Sequence, residues 1–307
     1  MTDLQRYLVE EIAVDHADGL ISRREALRRL ALVGVSVSAA SSLLAAFVAE
    51  QARAGRPRLG SRGPAGPAAE SSEAAAVPTK PIMFLGPGGR KLMGAWAQAR
   101  TARGGVLVIH ENRGLTDHIR SVAGRFAASG YSALAIDLLS EEGGTGSFPD
   151  EAAAMAALYA VPTARFAADM KAGVTELARR VPGRKVAATG FCFGGGMVWL
   201  LLASKEARLA AAVPFYGPFP EGSTLKGSKA AVLGIYAALD SRVNATRAAA
   251  RTALRSAGLR HQLITLPGVD HAFFNDTGGR YDRAAAAEAY RRVLDWFQRY
   301  VDIPRKS

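Results

Sequence analysis

The chain has 307 residues, of which 49% are hydrophobic and 21% charged, a composition that supports a packed core and excludes wholesale disorder. The net charge is +12, but the basic residues are spread thinly and form no block interleaved with aromatic residues, so we expect no nucleic-acid binding. The sole cysteine, Cys192, excludes an intrachain disulfide and a cysteine-based zinc or iron–sulfur site.

Residues 1–54 combine paired arginines with an uncharged segment. Arg23-Arg24 and Arg28-Arg29 precede residues 30–49, which contain no charged side chain and as one helix would just span a bilayer core of about 30 Å. This order resembles a twin-arginine export signal, and Ala52-Arg53-Ala54 offers a small-x-small cleavage site. We therefore predict a protein that uses the export machinery and is either cleaved or anchored in the membrane through residues 30–49.

The same segment has a second interpretation, and a different composition follows it. Leu4, Leu8 and Ile12 form an amphipathic stripe at helical spacing, which is also consistent with a buried helix of the main domain. Residues 55–78 are rich in Gly, Pro, Ala and Ser and have no apolar period, which predicts a flexible linker. The globular part is then expected to be one domain over residues 79–307.

From residue 104 onward, apolar runs alternate with amphipathic segments. The apolar runs predict strands at 104–110, 131–138, 185–191, 209–217, 230–239 and 261–267. The segments between them predict helices at 117–129, 163–181, 194–205, 244–258 and 281–300. This alternation predicts an α/β fold with a mostly parallel central sheet and helices on both faces. Functional residues are then expected at the carboxyl ends of the strands.

A candidate nucleophile follows the strand at 185–191. Gly190-Phe191-Cys192-Phe193-Gly194 has the G-x-nucleophile-x-G pattern of a sharp strand-to-helix turn, in which the glycines allow strand and helix to pass closely. The N-terminus of the following helix favours the thiolate form of Cys192. The alternative is that Cys192 is a small buried core residue, which is a common environment for a cysteine.

Two further strand ends supply partners for a cysteine nucleophile. Asp240 follows the strand at 230–239, and His271 follows the strand at 261–267. The chain order nucleophile, acid, base is that of the α/β-hydrolases, in which His271 would withdraw the thiol proton and Asp240 would orient the imidazole. Asp240 could instead only cap the next helix. Asp270 competes for the acid role, but its adjacency to His271 in sequence disfavours an orienting geometry.

The segment His110-Glu111-Asn112-Arg113-Gly114 follows the strand at 104–110. In an α/β-hydrolase this loop supplies one N–H of the oxyanion hole, and the residue after the nucleophile supplies the other. Here these would be the backbone N–H groups of Asn112 and Phe193. Glu111 is not required by a generic hydrolase and could equally be a surface acid or a partner of Arg113.

The GFCFGG, HENRG, LDSRV and DHAFFND segments together resemble the dienelactone hydrolase family, over roughly residues 80–300. The resemblance implies an α/β-hydrolase fold and a triad of Cys192, His271 and Asp240. It also implies that Glu111 holds the resting thiol and is displaced when the substrate arrives. The implied substrate is a small ester or lactone.

The substrate-binding residues depart from this family. The resemblance implies arginines that hold a substrate carboxylate, one of them four residues beyond the histidine, where this chain has Asn275. Arg113 or Arg280 could substitute, and we expect Arg113, Asn275 and Phe274 to contribute to substrate binding. An apolar pocket could be lined by aromatic residues near the strand ends, although these could equally belong to the core: Phe193, Trp199, Phe215, Tyr216, Phe273 and Phe274.

The preferred hypothesis is a hydrolase that cleaves a small ester or lactone through an acyl-cysteine. A catalytically weak binding or scaffold protein on a hydrolase fold is the main alternative, favoured by the asparagine at 275. Peptidase or acyl-transfer activity would use the same residues. We expect no cofactor, because the Gly190–Gly196 run has a cysteine at its centre and no nucleotide-binding acid follows it. We also expect no metal, because the histidines lack ligand spacing with carboxylates: His110, His118, His261 and His271.

Overall fold

The computed structural model describes residues 3–53 and 75–302. Contacts divide the chain into two units, the first drawn from Met1–Glu73 and Phe148–Ala160 and the second from Ala74–Ser147 and Val161–Ser307. Most of the predicted linker, at residues 55–74, lies outside the described residues.

The unit boundaries differ from the predicted single domain over residues 79–307 in two respects. Phe148–Ala160 packs with the N-terminal helices, although the chain on both sides of it belongs to the second unit. The amide of Val77 donates a hydrogen bond to the carbonyl of Gly124 at 3.1 Å, so the second unit begins before residue 79.

The first unit is helical in its described part. Its helices are α1 (Asp3–Ala17), α2 (Arg23–Leu32), α3 (Val37–Arg53) and, in chain order after one helix of the second unit, α5 (Glu151–Ala160). Their apolar faces share one buried core: Val9, Ile12, Ala13, Ala26, Leu30, Val33, Ala40, Leu44 and Met155. A segment from the middle of the chain therefore completes a core that the N-terminal helices begin.

The start of α2 is fixed by its own sequence. Ser22 is the N-cap, and its hydroxyl accepts a hydrogen bond from the amide of Glu25 at 3.2 Å. The carboxylate of Glu25 accepts hydrogen bonds from Arg28 and Arg29, which lower its pKa to about 2. Arg28 also donates to Asp150 at 3.2 Å. Two of the four arginines that predict an export signal, Arg28 and Arg29, thus form ion pairs within this unit, and the export signal itself stays a prediction.

The uncharged run at residues 30–49 does not form one helix. α2 ends at Leu32, Gly34 has a φ of 79°, and α3 begins only at Val37. The left-handed conformation of Gly34 is the usual way in which a helix ends at glycine. The expectation of a single helix over this run is wrong, and within the described residues no helix is long and apolar enough to cross a membrane.

The second unit contains an eight-stranded sheet with the strand order β1-β2-β4-β3-β5-β6-β7-β8. The strands are β1 (Lys80–Leu85), β2 (Lys91–Ala97), β3 (Gly104–Ile109), β4 (Tyr131–Asp137), β5 (Val186–Phe191), β6 (Leu209–Phe215), β7 (Ala231–Ala237) and β8 (His261–Leu266). β2 pairs antiparallel with β1 and β4, and all other neighbours are parallel. The predicted mostly parallel sheet is confirmed, and each of the six predicted strands is present.

Helices cover both faces of this sheet, as predicted. They are α4 (Asp117–Ala128), α6 (Thr163–Arg180), α7 (Phe193–Ala203), α8 (Ser241–Ser256) and α9 (Arg283–Tyr300). Consecutive residues of β3 point to opposite faces. A Cβ on Gly104 would collide with Val301, directly after α9, whereas a Cβ on Gly105 would meet Leu177 of α6 at 3.0 Å. α9 and α6 therefore pack on opposite faces, and the carboxyl ends of the parallel strands remain for the functional loops.

Candidate active site

The predicted strand-to-helix turn is present at the end of β5. Cys192 joins β5 to α7 with a φ of 57° and a ψ of −120°, a conformation that is strained for a residue with a Cβ. Its amide donates to the carbonyl of Phe215 at 3.2 Å, and the residue is 3% exposed. The local backbone therefore holds the thiol at the carboxyl edge of the sheet.

The glycines beside Cys192 are required by close backbone contacts. A Cβ on Gly190 would collide with the carbonyl of Gly194, and a Cβ on Gly194 would collide with the carbonyls of Ile109 and His110. α7 therefore begins in direct contact with the backbone that leaves β3. This close approach brings the start of the HENRG loop next to the turn that carries Cys192.

We expect Gly194→Ala to lower the free energy of unfolding by about 1–3 kcal/mol or more, because the atoms that a methyl group would meet are backbone atoms that cannot rotate away. Gly146→Ala is the matched control, since nothing lies within 4 Å of a Cβ built at that position. Urea unfolding of the full chain measures both effects. Equal unfolding free energies for the two variants would contradict the contact at Gly194.

The structure brings His271 together with Asp240 and Cys192. Nδ1 of His271 lies 2.5 Å from Oδ2 of Asp240, and both side chains are buried. A ring nitrogen of His271 lies within 4.8 Å of Sγ of Cys192. Asp240 also caps α8, because its Oδ1 accepts from the amide of Val243 at 3.1 Å. The carboxylate of Asp240 therefore contacts both the imidazole of His271 and the start of α8, with one oxygen for each.

Asp270 has a different position from the one that an orienting acid needs. Its carboxylate accepts a hydrogen bond from the backbone amide of His271 at 2.7 Å. Burial raises the pKa of Asp240, but the charge and hydrogen bond of His271 outweigh burial and hold it below its ordinary value. Asp240 is therefore the ionised partner of the imidazole.

The carboxyl group of Glu111 is held by Asn275. Nδ2 of Asn275 donates to Oε2 of Glu111 at 2.6 Å, and both residues are buried. Oδ1 of Asn275 accepts from both the amide and the hydroxyl of Thr277, at 3.0 and 2.7 Å, which fixes the orientation of the amide group. Within the part of the chain that the structure describes, Oε1 of Glu111 has no hydrogen-bond partner. Glu111 thus presents one oxygen as an acceptor.

Tyr216 packs beside the candidate catalytic histidine. Its ring packs edge-on against His271 with a centroid distance of 5.0 Å. Burial raises the pKa of its hydroxyl well above the ordinary value, and the negative charges of Glu111 and Cys192 raise it further. From the sequence, Tyr216 was predicted only as a pocket or core residue, because it lies within the predicted strand at 209–217. In the structure β6 ends at Phe215, and Tyr216 directly follows it.

The oxyanion-hole candidates lie at neighbouring strand ends. β3 and β5 are adjacent and parallel, with Ile109 opposite Gly190 in the register. Asn112 therefore follows one strand and Phe193 the next, and both are buried. The two predicted backbone donors therefore follow adjacent strands at the same edge of the sheet.

The predicted substrate-binding residues differ in position. Phe274 is 1% exposed and packs against aromatic rings of the core, including those of Phe191 and Phe215. Arg280 is also buried, and Arg113 is half-buried in the HENRG loop. The aromatic residues near the strand ends are all buried, which favours their interpretation as core: Phe193, Trp199, Phe215, Tyr216, Phe273 and Phe274.

A mostly parallel sheet, a cysteine on a strained turn after β5, and an aspartate and a histidine after β7 and β8 are typical of the α/β-hydrolase fold. A model described as the dienelactone hydrolase family matches residues 93–301. The chain belongs to this family.

Individual relatives agree with this assignment. The chain is 34% identical over 209 residues to a protein of Escherichia coli O157:H7 named "putative carboxymethylenebutenolidase", an alignment that covers 64% of this chain and 76% of the relative. A solved structure from Klebsiella pneumoniae named "putative dienelactone hydrolase" has a TM-score of 0.62 and 30% identity, covering 72% of this chain and 99% of that one.

A dienelactone hydrolase-like promiscuous phosphotriesterase from metagenomic libraries has a TM-score of 0.61 and 25% identity. The structural match includes 99% of that protein's chain and 73% of this chain. The family and the relatives named carboxymethylenebutenolidase and dienelactone hydrolase indicate that the protein is a hydrolase that acts on esters or lactones.

Proposed function

We propose that the protein hydrolyses a small ester or lactone through a triad of Cys192, His271 and Asp240 and an acyl-cysteine intermediate. One observation carries the proposal, namely the position of His271 between the other two residues. Its Nδ1 lies at hydrogen-bond distance, 2.5 Å, from Oδ2 of Asp240, and a ring nitrogen lies within 4.8 Å of Sγ of Cys192. Since Nδ1 faces the carboxylate, Nε2 is the nitrogen that can receive the thiol proton.

In the acylation step, the thiol proton of Cys192 moves to Nε2 of His271, and the resulting thiolate attacks the carbonyl carbon. The negative charge that develops on the carbonyl oxygen is stabilised by the N–H groups of Asn112 and Phe193. The carbon–oxygen bond to the leaving group then breaks, and His271 returns the proton to the departing alkoxide. The acyl group remains on sulfur as a thioester.

In the deacylation step, His271 removes a proton from water as its oxygen attacks the thioester carbon. The carbon–sulfur bond breaks, the carboxylic acid leaves, and the proton returns to the sulfur of Cys192. Asp240 remains ionised throughout and stabilises the protonated imidazole. Each turn consumes one water and restores the starting thiol.

Glu111 regulates the resting thiol in this proposal. Its Oε1 is a buried acceptor with no hydrogen-bond partner among the described residues, while Oε2 is bound by Asn275. A buried acceptor in this state is stabilised by a donor, and the thiol of Cys192 is the donor that the proposal supplies. Substrate binding then releases the thiol to His271.

The proposal is tested by ester hydrolysis with the purified full chain. The substrates are dienelactone, other lactones, short-chain aryl esters and an aryl phosphotriester, which one relative's activity suggests as a comparison. Turnover with an acyl adduct on Cys192, detected by mass spectrometry, is the expected result. Turnover of none of these substrates by a folded protein would favour the alternative of a binding or scaffold protein.

Asn275 also predicts substrate preference. Its amide is neutral and committed to Glu111, so it offers no positive charge to a substrate carboxylate. We expect the wild type to hydrolyse a neutral methyl ester of the lactone at least as efficiently as the free carboxylate. Asn275→Arg should raise the ratio of kcat/KM for carboxylate over neutral substrate by about tenfold, the effect of one charge-assisted hydrogen bond.

Asn275→Gln is the control for this ratio. Both variants disturb the contact with Glu111, so a general loss of activity affects both substrates and cancels in the ratio. A carboxylate preference in the wild type, or an unchanged ratio in Asn275→Arg, would show that another residue binds the substrate anion.

A further inference from the structure

The imidazole of His110 connects two backbone segments beside the nucleophile. His110 is fully buried directly after β3, and its Nδ1 lies 2.6 Å from the carbonyl oxygen of Glu111. On the other side of the ring, Nε2 lies 3.1 Å from the amide nitrogen of Leu138, just after β4. The ring therefore links the HENRG loop to the neighbouring strand end.

These two contacts determine which nitrogen carries the proton. The amide of Leu138 can only donate a hydrogen bond, so Nε2 of His110 must accept it. In a neutral imidazole the proton is then on Nδ1, which donates to the carbonyl of Glu111. Burial lowers the pKa of His110, although the charge of Asp137 acts in the opposite direction, and a neutral ring is consistent with both contacts.

The carbonyl that His110 binds belongs to the same peptide unit as the N–H of Asn112. A peptide unit is planar and its C=O and N–H point in opposite directions, so fixing the carbonyl of Glu111 also fixes the direction of the Asn112 N–H. A hydrogen bond accepted by the carbonyl polarises the unit and strengthens its N–H as a donor. The contact with His110 therefore acts on the donor predicted for the oxyanion hole.

We propose that His110 is a positioning residue for the oxyanion hole, which orients the Asn112 N–H through the carbonyl of Glu111. The inference rests on the proposed function, because it assigns the Asn112 N–H to the oxyanion of the ester. The substrate-derived group that benefits is the tetrahedral oxyanion, and His110 itself does not touch the substrate.

The second oxyanion donor is connected to the same ring. His110 stacks on the ring of Phe193 with a centroid distance of 6.1 Å and an interplanar angle of 19°. Phe193 supplies the other predicted N–H, and the following residue, Gly194, is in close contact with the His110 carbonyl. One imidazole thus contacts the peptide that carries the first donor and the side chain of the residue that carries the second.

The far end of the loop is held separately. The amide of Leu115 donates to the hydroxyl of Thr145 at 2.8 Å, and that hydroxyl donates to Asp137 at 2.8 Å. Loss of the His110 contacts therefore leaves one attachment of the loop in place. A specific loss of oxyanion stabilisation is expected, rather than disorder of the whole loop.

The test compares His110→Phe with His110→Gln in the full chain. Phenylalanine keeps a ring against Phe193 but has neither the donor nor the acceptor, whereas glutamine supplies one of each. We expect His110→Phe to lower kcat for ester hydrolysis by about 100-fold, as removal of one oxyanion donor does, with KM changed less than threefold. His110→Gln should recover at least about tenfold of this loss.

Two inhibitors separate positioning from a general structural role. A trifluoromethyl ketone forms an oxyanion on the enzyme, so its affinity should fall in parallel with kcat in His110→Phe. Iodoacetamide alkylates the thiol of Cys192 without forming an oxyanion, and its rate should change less than twofold. Full activity in His110→Phe, or a parallel loss of hydrolysis and alkylation, would overturn the inference.

A measurement on the wild type covers the case in which His110→Phe does not fold. In protein labelled with ¹⁵N-histidine, NMR should show His110 as the neutral tautomer with the proton on Nδ1. A proton on Nε2 would overturn the inference. Absence of ester turnover by the wild type would instead contradict the proposed function, while the tautomer would still test the contacts of His110.

Discussion

Cys192→Ala is expected to lower ester hydrolysis by at least about 10⁴-fold, because it removes the sulfur atom on which the proposed acyl intermediate forms. The thiol lies on a strained turn within 4.8 Å of a ring nitrogen of His271. Alanine removes only the sulfur and retains the Cβ, so the positive φ at this position is equally strained in both proteins. The comparison therefore isolates the chemistry of the thiol.

Hydrolysis is measured as kcat/KM on the best ester of the panel, with urea unfolding as the test of folding. Since Cys192 is the sole cysteine, iodoacetamide should inactivate the wild type after reaction with one thiol per chain. A folded Cys192→Ala with more than about a tenth of wild-type activity would refute the acyl-cysteine and leave another nucleophile to be identified.

Substrate should also protect the thiol of Cys192 from alkylation. A slowly deacylating aryl ester, added in excess, should block alkylation and leave an acyl mass on the peptide containing Cys192. The mass increase should equal the acyl group alone, because the alcohol leaves before the thioester forms. This result separates covalent catalysis from a site in which the cysteine only lines the pocket.

The part of the fold that was predicted from the sequence is the part with clear periodicity. The six predicted strands are nearly continuous in apolar residues, because helices cover both sides of the sheet, and each is present within two residues of its expected limits. β1 and β2 were not predicted, although both contain apolar residues. β1 is an edge strand that contains Pro81 and exposes Met83 and Leu85, which makes it atypical of a buried strand.

The packing partner of the helix Glu151–Ala160 could not be predicted from the sequence. Its sequence is rich in alanine and apolar on all sides, so no amphipathic period indicates where it packs. Its contacts with the N-terminal helices join segments more than 100 residues apart, including the pair of Arg28 and Asp150. Spacing within a segment carries no information about such a partner.

Residues 30–49 show how composition alone can mislead. The absence of charge suggested one long helix, but Gly34 and the serines after it change the backbone direction. Ser36 accepts a hydrogen bond from the amide of Ala39 at 3.4 Å, as a residue at the start of a new helix does. The glycine and the serine were the signals for this break.

The candidate site also combines features that the sequence could predict with contacts that it could not. Cys192, Asp240 and His271 could be selected as candidates from the sequence because each lies shortly after a predicted strand, and parallel strands end at the same edge. The hydrogen bond from Asn275 to Glu111 joins two loops that are 164 positions apart in the sequence. The presence of an asparagine at position 275 does not indicate which residue it contacts. The two hydrogen bonds of His110 depend on side-chain orientation, which no periodicity encodes.

Asp240→Asn is expected to lower kcat by about 10³–10⁴-fold, although the side chain keeps its shape. If the asparagine oxygen continues to accept from the amide of Val243, its NH₂ group faces Nδ1 of His271. Nδ1 must then be the unprotonated nitrogen, and Nε2 carries the proton. A histidine in this tautomer cannot remove the proton from Cys192.

The pH dependence of stability should change in a predictable direction. The pKa of Asp240 is below its ordinary value in the folded protein, so the ionised group stabilises the fold at pH values above the unfolded-state pKa of about 3.9. This contribution is lost as the pH falls through the lower folded-state pKa. The difference in unfolding free energy between wild type and Asp240→Asn should therefore be largest near neutral pH and should shrink in acid.

Asp270→Asn is the matched control, because Asp270 is the neighbouring acid and accepts a hydrogen bond from the backbone amide of His271, whereas Nδ1 of the ring faces Asp240. An asparagine oxygen can still accept that hydrogen bond, so we expect kcat to fall less than about tenfold. Steady-state kinetics on the same ester, with unfolding measured for each variant, compare the two substitutions. A larger loss in Asp270→Asn than in Asp240→Asn would assign the orienting role to Asp270, and equal small losses would show that the imidazole needs no carboxylate to act on Cys192.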